Sequence, residues 1–172
     1  FKLENNEINW KDLIKGSVTF DPKNLSDPVL IREDGTLLYH LPSVIDDIHE
    51  EITHIIRGED HIANTAYHIQ IFQALESEIP TFAHHPFLID EQGKGFSKRM
   101  GSLSIENFRK DGFENITLLN YFLFIGSSSN IKPMNDLTKI INKFDISNIS
   151  KSSAKYSKDS IIRIWREIFQ AS

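Results

Sequence analysis

Cysteine is absent from all 172 residues. That excludes a disulfide framework and any thiolate metal site, and it is compatible with a reducing compartment. Long apolar runs are missing as well. None approaches the roughly 18 residues that a helix needs to cross a bilayer, and no secretory leader opens the chain. The expectation is a soluble, cytoplasmic protein with no membrane association. Internal repeats are lacking, and the serine cluster 127–129 and the run 147–153 read as connections.

With 40% hydrophobic residues, the chain is long enough to bury a real core as one domain or two small ones. It begins with Phe1 and not Met, so it is expected to be a piece of something longer. The net charge of -5 hides an asymmetry. Residues 1–90 carry 6 Lys/Arg against 16 Asp/Glu, whereas residues 91–172 carry 13 against 8. Such a split points to the second half as the part that faces a polyanion.

Along the chain, Trp10–Gly16 reads as a short irregular or helical link, and Ser17–Phe20 as a strand stopped by Asp21-Pro22. Val29–Arg32 and Thr36–Leu41 flank Asp34-Gly35, the strongest short hairpin signal. Val44–Ile48 is a short helix or turn, and Thr53–Arg57 is a strand ended by Gly58. Ile62, Ala66, Ile69 and Phe72 recur at the spacing of one helical face, which predicts an amphipathic helix over 60–76 with Asp60 as N-cap. Phe82–Ile89 returns to strand. Strand, helix and strand in that order predict a βαβ unit of a parallel, doubly wound sheet. Beyond residue 103 the pattern is helical. Ser104 caps a helix through Lys110, Ile116–Ile125 is apolar on nearly every side, Asp136 caps Leu137–Phe144, and Ser157 caps a helix carrying Ile161, Ile164, Trp165 and Ile168.

Two stretches carry chemistry. Asp90–Ser102 (DEQGKGFSKRMGS) puts three cations and three glycines on a loop after an apolar strand, a pattern that suits a polyphosphate but also an ordinary solvated hairpin tip. In Arg57-Gly58-Glu59-Asp60-His61, a strand ends in arginine and a helix starts at once, so a cation and a helix N-terminus favour one anion. Arginine can hold a carboxylate bidentately, while a structural salt bridge with Glu59 or Asp60 is the competing reading. Tyr39, placed on the hairpin strand, offers a hydroxyl to the same pocket. Arg57 and the loop lysine Lys98 are expected to converge on one pocket.

Gly93-Lys94-Gly95-Phe96-Ser97-Lys98-Arg99 resembles the signature loop of class I aminoacyl-tRNA synthetases, in the Ser-Lys-Arg form of the glutamyl and glutaminyl branch. Residues 34–41 (DGTLLYHL), 44–47 (VIDD) and 55–61 (IIRGEDH) are similar in order and spacing to the glutamyl-tRNA synthetase pattern. The likeness continues through 104–108, 118–121 and 149–152. It implies an α/β fold, namely the second half of a class I Rossmann-like nucleotide-binding fold followed by an α-helical stem-contact domain. By the same resemblance, residues 1–20 end an inserted acceptor-binding subdomain, 21–103 form the catalytic half with its signature loop, and 104–172 contact the tRNA stem. The activity implied is that of a glutamate–tRNA ligase, in which the glutamate α-carboxylate attacks the ATP α-phosphorus and the glutamyl group then passes to tRNA. Tyr39, Ser43 and Arg57 match glutamate-holding positions, and Asp60 and His61 match positions lining the adenosine pocket. Lys98, with Ser97 and Arg99, matches the catalytic loop over the ATP phosphates.

The implied partners are tRNA(Glu), glutamate and ATP with Mg2+ as substrate, for a monomer with no metal site and no zinc. Three departures stand out. Gly95 replaces the first signature lysine, with Lys94 one place earlier. Ser43 stands where the family has asparagine. No His-Ile-Gly-His-like motif occurs, so the isolated chain is expected not to activate glutamate. A glutamyl-Q tRNA(Asp) synthetase-like protein and a non-catalytic nucleic-acid-binding module are the alternatives. His84-His85 puts two imidazoles on opposite faces of a strand and so makes a poor metal site. His61 and His68 read as packing or surface, and Trp10 and Trp165 as core.

Overall fold

A computed structural model describes residues 1–90, 92–95, 104–127 and 132–169. The chain divides into two compact units, Phe1–His85 and Pro86–Ser172.

In the first unit, β1 (Ile8–Asp12) pairs antiparallel with β2 (Gly16–Phe20). The link expected at 10–16 is thus a strand and a tight turn. Its cause is local. The Asp12 side chain accepts hydrogen bonds from the Ile14 and Lys15 N–H groups at 3.0 and 2.9 Å, and Gly16 takes the left-handed conformation (φ 85) that closes the turn. The Leu13 N–H donates to the Phe82 carbonyl at 2.9 Å and so ties this hairpin to β4 (Thr81–His85).

The hairpin expected around Asp34-Gly35 is present but short, its arms joined by the Arg32 N–H to the Thr36 carbonyl at 2.9 Å and the Leu38 N–H to the Leu30 carbonyl at 2.8 Å. Asp34 accepts from the Thr36 N–H at 2.9 Å, and the pairing amounts to an isolated bridge between Ile31 and Leu37 among the described residues. Its second arm turns helical at His40, because Pro42 lacks an N–H that a first helical turn does not need. Helix α1 (His40–His49) absorbs the predicted Val44–Ile48 segment, and Tyr39 is its N-terminal cap residue, not a strand residue.

Next, β3 (His54–Gly58), a 3-10 turn over Glu59–His61 and α2 (Ile62–Ala74) lead to β4. β3 and β4 pair in parallel, with Arg57 opposite His84, so the predicted βαβ unit is present. Asp60 does not cap α2, because the intervening 3-10 turn puts His61 at the cap position. α2 is not one-faced either: Thr65, His68 and Gln70 are buried together with Ala66, Ile69, Ile71 and Phe72. Burial on most sides is what a helix covering a parallel strand pair requires. Val44, Ala66, Ile69, Phe72 and Phe82 form the core, with Trp10 and Phe20 packed against it.

The second unit opens with β5 (Leu88–Ile89), since Pro86 interrupts the predicted 82–89 strand. Asp90 makes a turn with Gly93 and Lys94: the Asp90 N–H donates to the Lys94 carbonyl at 2.8 Å, and Gly93 has φ 82. Helices α3 (Ile105–Lys110), α4 (Asn115–Phe124), α5 (Leu137–Lys143) and α6 (Lys158–Phe169) follow. Ser104 and Asp136 cap α3 and α5 as predicted, and the Ser157 hydroxyl accepts from the Ser160 N–H at 3.2 Å. The helical run is interrupted by β6 (Ala154–Lys155), which pairs in parallel with β5.

α4 was expected to be buried on nearly every side, yet Leu119 and Phe122 are 41% and 46% exposed. Three residues apart, they share the face turned away from α6, whose Ile161, Ile164 and Ile168 pack with Leu118 and Tyr121. Buried Asn120 clips the following loop: its amide donates to the Ile116 and Met134 carbonyls at 2.8 and 2.7 Å and accepts from the Met134 N–H at 2.8 Å. Among the described residues, no helix is long and apolar enough to cross a membrane.

Candidate functional site

The first unit gathers a cluster of polar side chains at the carboxyl end of β3. Arg57 is the last side chain of that strand before Gly58, and α1, α2 and β4 bring acceptors to it. Arg57 Nη2–H donates to Thr65 Oγ1 at 2.5 Å, Nη1–H to the Tyr39 hydroxyl at 3.3 Å and to His68 Nδ1 at 3.5 Å, and Nε–H to His84 Nε2 at 3.4 Å. The guanidinium also lies 5.8 Å from the Phe82 ring centroid. A guanidinium has five N–H donors, so one Nη2–H is left without a protein acceptor among the described residues.

Every one of these acceptors is neutral. Neither candidate for a structural salt bridge pairs with Arg57 among the described residues, because Glu59 is held by Lys15 Nζ at 2.5 Å, and Asp60 lies 3.9 Å from His61 Nε2. Burial lowers the Arg57 pKa, and the Tyr39 oxygen, Asp47 and Asp60 counter that shift. Arginine nevertheless remains charged at any physiological pH.

The directions of these bonds fix the tautomers. Arginine only donates, so His68 Nδ1 accepts from it and the His68 proton sits on Nε2, which donates to His40 Nδ1 at 3.2 Å. Tyr39 accepts from Arg57 and turns its own proton toward His61 Nδ1 at 3.3 Å. Burial, and then the Arg57, His40 and His61 charges, push the His68 pKa down to about 3. Burial and the Arg57 charge likewise lower His40. The ring around the guanidinium is thereby kept uncharged.

A pH dependence follows. The unfolded chain takes up a proton at His68 below about pH 6.5, whereas the folded chain does not until about pH 3. Stability contributed by neutral His68 is therefore complete above pH 6.5 and is lost as pH falls through that window. In urea unfolding of the full-length protein at several pH values, His68→Gln is expected to lose less stability between pH 6.5 and 3 than the parent does. Equal losses would assign the acid sensitivity to other groups.

The remaining predicted residues fall as follows. Ser43 sits on α1 one turn beyond Tyr39, bonded through its backbone N–H to the Tyr39 carbonyl at 3.2 Å. Asp60 and His61 occupy the 3-10 turn next to Tyr39, whose ring is 5.8 Å from that of His61. A Cβ at Gly58 would meet the Asp60 Oδ1 atom at 2.5 Å, so any larger residue there would displace the Asp60 carboxylate. Ser97, Lys98 and Arg99 lie outside the described residues, and with them the expected convergence of Lys98 on Arg57. Sequence reading missed Asp12, His40, Thr65, His68 and His84 as partners of this site. His61, the cap residue of α2, is followed by Thr65 and His68 at i+4 and i+7, a polar stripe on one face, and that stripe was the available signal. Among the described residues, no group of three or more His, Asp or Glu forms a candidate metal cluster.

Known proteins share this arrangement of sequence and fold. The model of the family described as class I tRNA synthetases (E and Q), catalytic domain, matches residues 1–163. The chain is 48% identical over 158 residues to the glutamate–tRNA ligase 2 of Mesorhizobium japonicum, covering 92% of this chain and 35% of that protein. It is 46% identical over 165 residues to the glutamate–tRNA ligase of Azospirillum brasilense, covering 95% of this chain and 37% of that protein. A crystal structure of a glutamate tRNA ligase from Elizabethkingia meningosepticum, in complex with its amino acid, superposes with a TM-score of 0.86 at 27% identity over 98% of this chain and 37% of that one. The chain thus spans little more than a third of the length of these relatives.

Proposed function

The chain belongs to the class I tRNA synthetases of the glutamate and glutamine branch, and from that premise we propose that it forms part of a glutamate–tRNA ligase and carries the glutamate-holding half of its active site. The observation that supports this reading most strongly is Arg57, a partly buried cation ringed by neutral acceptors. Such a charge is stabilised when a ligand supplies the missing anion. A carboxylate of glutamate suits it, because the free Nη2–H and the long bonds to Tyr39 and His68 can be exchanged for two short charge-assisted ones. Tyr39, with its hydroxyl already aligned by Arg57 and His61, adds a directional hydrogen bond, and Ser43 flanks it on the next turn of α1.

In the same reading Asp60 and His61 line the adenosine pocket, and Ser97, Lys98 and Arg99 act on the phosphates of magnesium-bound ATP. The glutamate α-carboxylate attacks the ATP α-phosphorus, pyrophosphate leaves, and the terminal ribose hydroxyl of tRNA(Glu) takes the glutamyl group. Both attacking oxygens come from substrates, so the protein contributes positioning and positive charge. Residues 1–20 would end an acceptor-binding insertion, 21–103 would form the catalytic half, and 104–172 would contact the tRNA stem. Support for the last comes from Lys132, Lys155 and Arg163, which line one cavity of about 430 Å³ in the second unit and can serve phosphates. A cytoplasmic, monomeric protein completes the reading, and the lack of cysteine is compatible with that compartment.

The test is glutamate-dependent exchange of labelled pyrophosphate into ATP by the full-length protein with tRNA present. Exchange is expected with glutamate and not with aspartate, and residues 1–172 alone are expected to give none. A full-length protein that shows no glutamate-dependent exchange would refute the assignment.

A further inference from the structure

We propose that Asp12 and His84 are positioning residues that set the orientation of Arg57 by fixing the tautomer of an imidazole behind it. The inference rests on the reading of Arg57 as the glutamate-carboxylate ligand. Asp12 is 1% exposed and His84 is fully buried. The Asp12 Oδ1 atom accepts from the N–H groups of Ile14, Lys15 and His84 at 3.0, 2.9 and 3.1 Å, while Oδ2 accepts from His84 Nδ1 at 2.5 Å. Burial pushes the carboxyl pKa up, but these four hydrogen bonds outweigh it and hold the group below the usual range, so Asp12 is ionised. An ionised carboxylate only accepts, and the His84 proton is therefore on Nδ1.

The consequence is at the other nitrogen. Burial first, then the Arg57 and His61 charges, keep the His84 pKa low although Asp12 pulls it up, which leaves Nε2 as a bare lone pair. That lone pair faces Thr65 Oγ1 at 2.9 Å and Arg57 Nε at 3.4 Å. Thr65 in turn accepts from Arg57 Nη2 at 2.5 Å and directs its own O–H to His84 Nε2, the nearer of its two acceptors, with the His61 carbonyl at 3.3 Å. One edge of the guanidinium is thus held by two side chains, while the Nη1 nitrogen is directed to Tyr39 and His68. Trp10 meets the His84 ring edge-on at 6.5 Å, and Phe82 stacks at 6.4 Å, so the imidazole has little room to flip. With the proton on Nε2 instead, a donor would face the Arg57 Nε–H and the guanidinium would turn away.

Asp12→Asn in the full-length protein tests this, because an asparagine amide donates to Nδ1 and moves the His84 proton to Nε2. The glutamate Michaelis constant is expected to rise about tenfold or more, by analogy with carboxylates that fix a histidine tautomer elsewhere. The Michaelis constants for ATP and tRNA are expected to stay within about threefold, since the change acts only through Arg57. Histidine-selective 15N spectra should show His84 as the Nδ1–H tautomer in the parent and as Nε2–H in the variant. A folded Asp12→Asn protein with an unchanged glutamate constant, an equal loss toward all three substrates, or a parent spectrum with the proton on Nε2 would each overturn the proposal. Should Asp12→Asn fail to fold, Thr65→Val decides together with the parent spectrum, since it keeps the volume and removes the hydroxyl that links His84 to Arg57, along with a contact to the His61 carbonyl. A selective rise in the glutamate constant supports the inference and no rise overturns it. Arg57→Ala in the same assay separates the two claims: an effect there without one at Asp12 or Thr65 refutes the positioning role alone, and no effect there refutes the glutamate reading.

Discussion

Replacing Arg57 with alanine is expected to raise the glutamate Michaelis constant of the full-length protein about 100-fold or more, with a smaller change in turnover. A hydrogen bond to a charged group contributes about 1.5 to 3 kcal/mol, and a carboxylate held by two of them loses both. Part of that loss is offset, because the guanidinium gives up its contacts with Tyr39 and His68 when it binds. A net loss of roughly 3 kcal/mol corresponds to about two decades of affinity. The effect falls on binding because the carboxylate is held in the ground state and the transition state alike. A second readout follows from the same contacts. With the Arg57 charge gone, His68 and His40 each lose one cause of their low pKa values, and both should titrate higher although burial remains the larger cause. Unaltered glutamate kinetics would make Arg57 a structural residue.

Lys98→Ala is expected to slow glutamate-dependent pyrophosphate exchange by about 100-fold or more while the glutamate Michaelis constant stays within about threefold. A lysine aimed at phosphate oxygens acts where negative charge develops, and removal of one such group commonly costs two to three decades in rate. Gly95 occupies the position of the first signature lysine, so the second carries more of the charge than it would in a loop with both. Lys94 lies in the turn, its backbone N–H bound to the Asp90 side chain at 2.7 Å, three residues before the Ser-Lys-Arg run. Lys94→Ala is accordingly the control with the smaller effect. An unchanged exchange rate in Lys98→Ala would remove that residue from the mechanism.

What the sequence made legible, and what it did not, divides along physical lines. The βαβ unit could be read because strand and helix periods differ and Gly58 and Pro80 punctuate them. Ser104, Asp136 and Ser157 were legible as caps because capping is satisfied within three residues. Arg57 and Tyr39 could be named from their order in the chain. Their surroundings could not, because Asp12, His40, Thr65, His68 and His84 meet only through tertiary contacts. Asp12 read as part of a helical link, since its Asx-type turn competes with helix over the same residues. The 29–41 hairpin is shorter than expected for a related reason: Asp34-Gly35 specifies the turn but not how far the arms run, and the helix start at His40 ended one of them. α4 was misjudged because an apolar segment with no polar face gives no sign of which side is left uncovered.

The hydrogen bonds between Asp12 and His84 bridge 72 positions of chain, and that span sets an order of events during synthesis. At about 5 to 20 residues per second, roughly 4 to 14 s separate the emergence of the carboxylate from that of its imidazole. Until then the β1–β2 ribbon has no strand to dock on, and Arg57 lacks its Nε acceptor. The contact between Asp12 and His84 therefore cannot precede the local turns of β1 and β2, as contacts distant along the chain require.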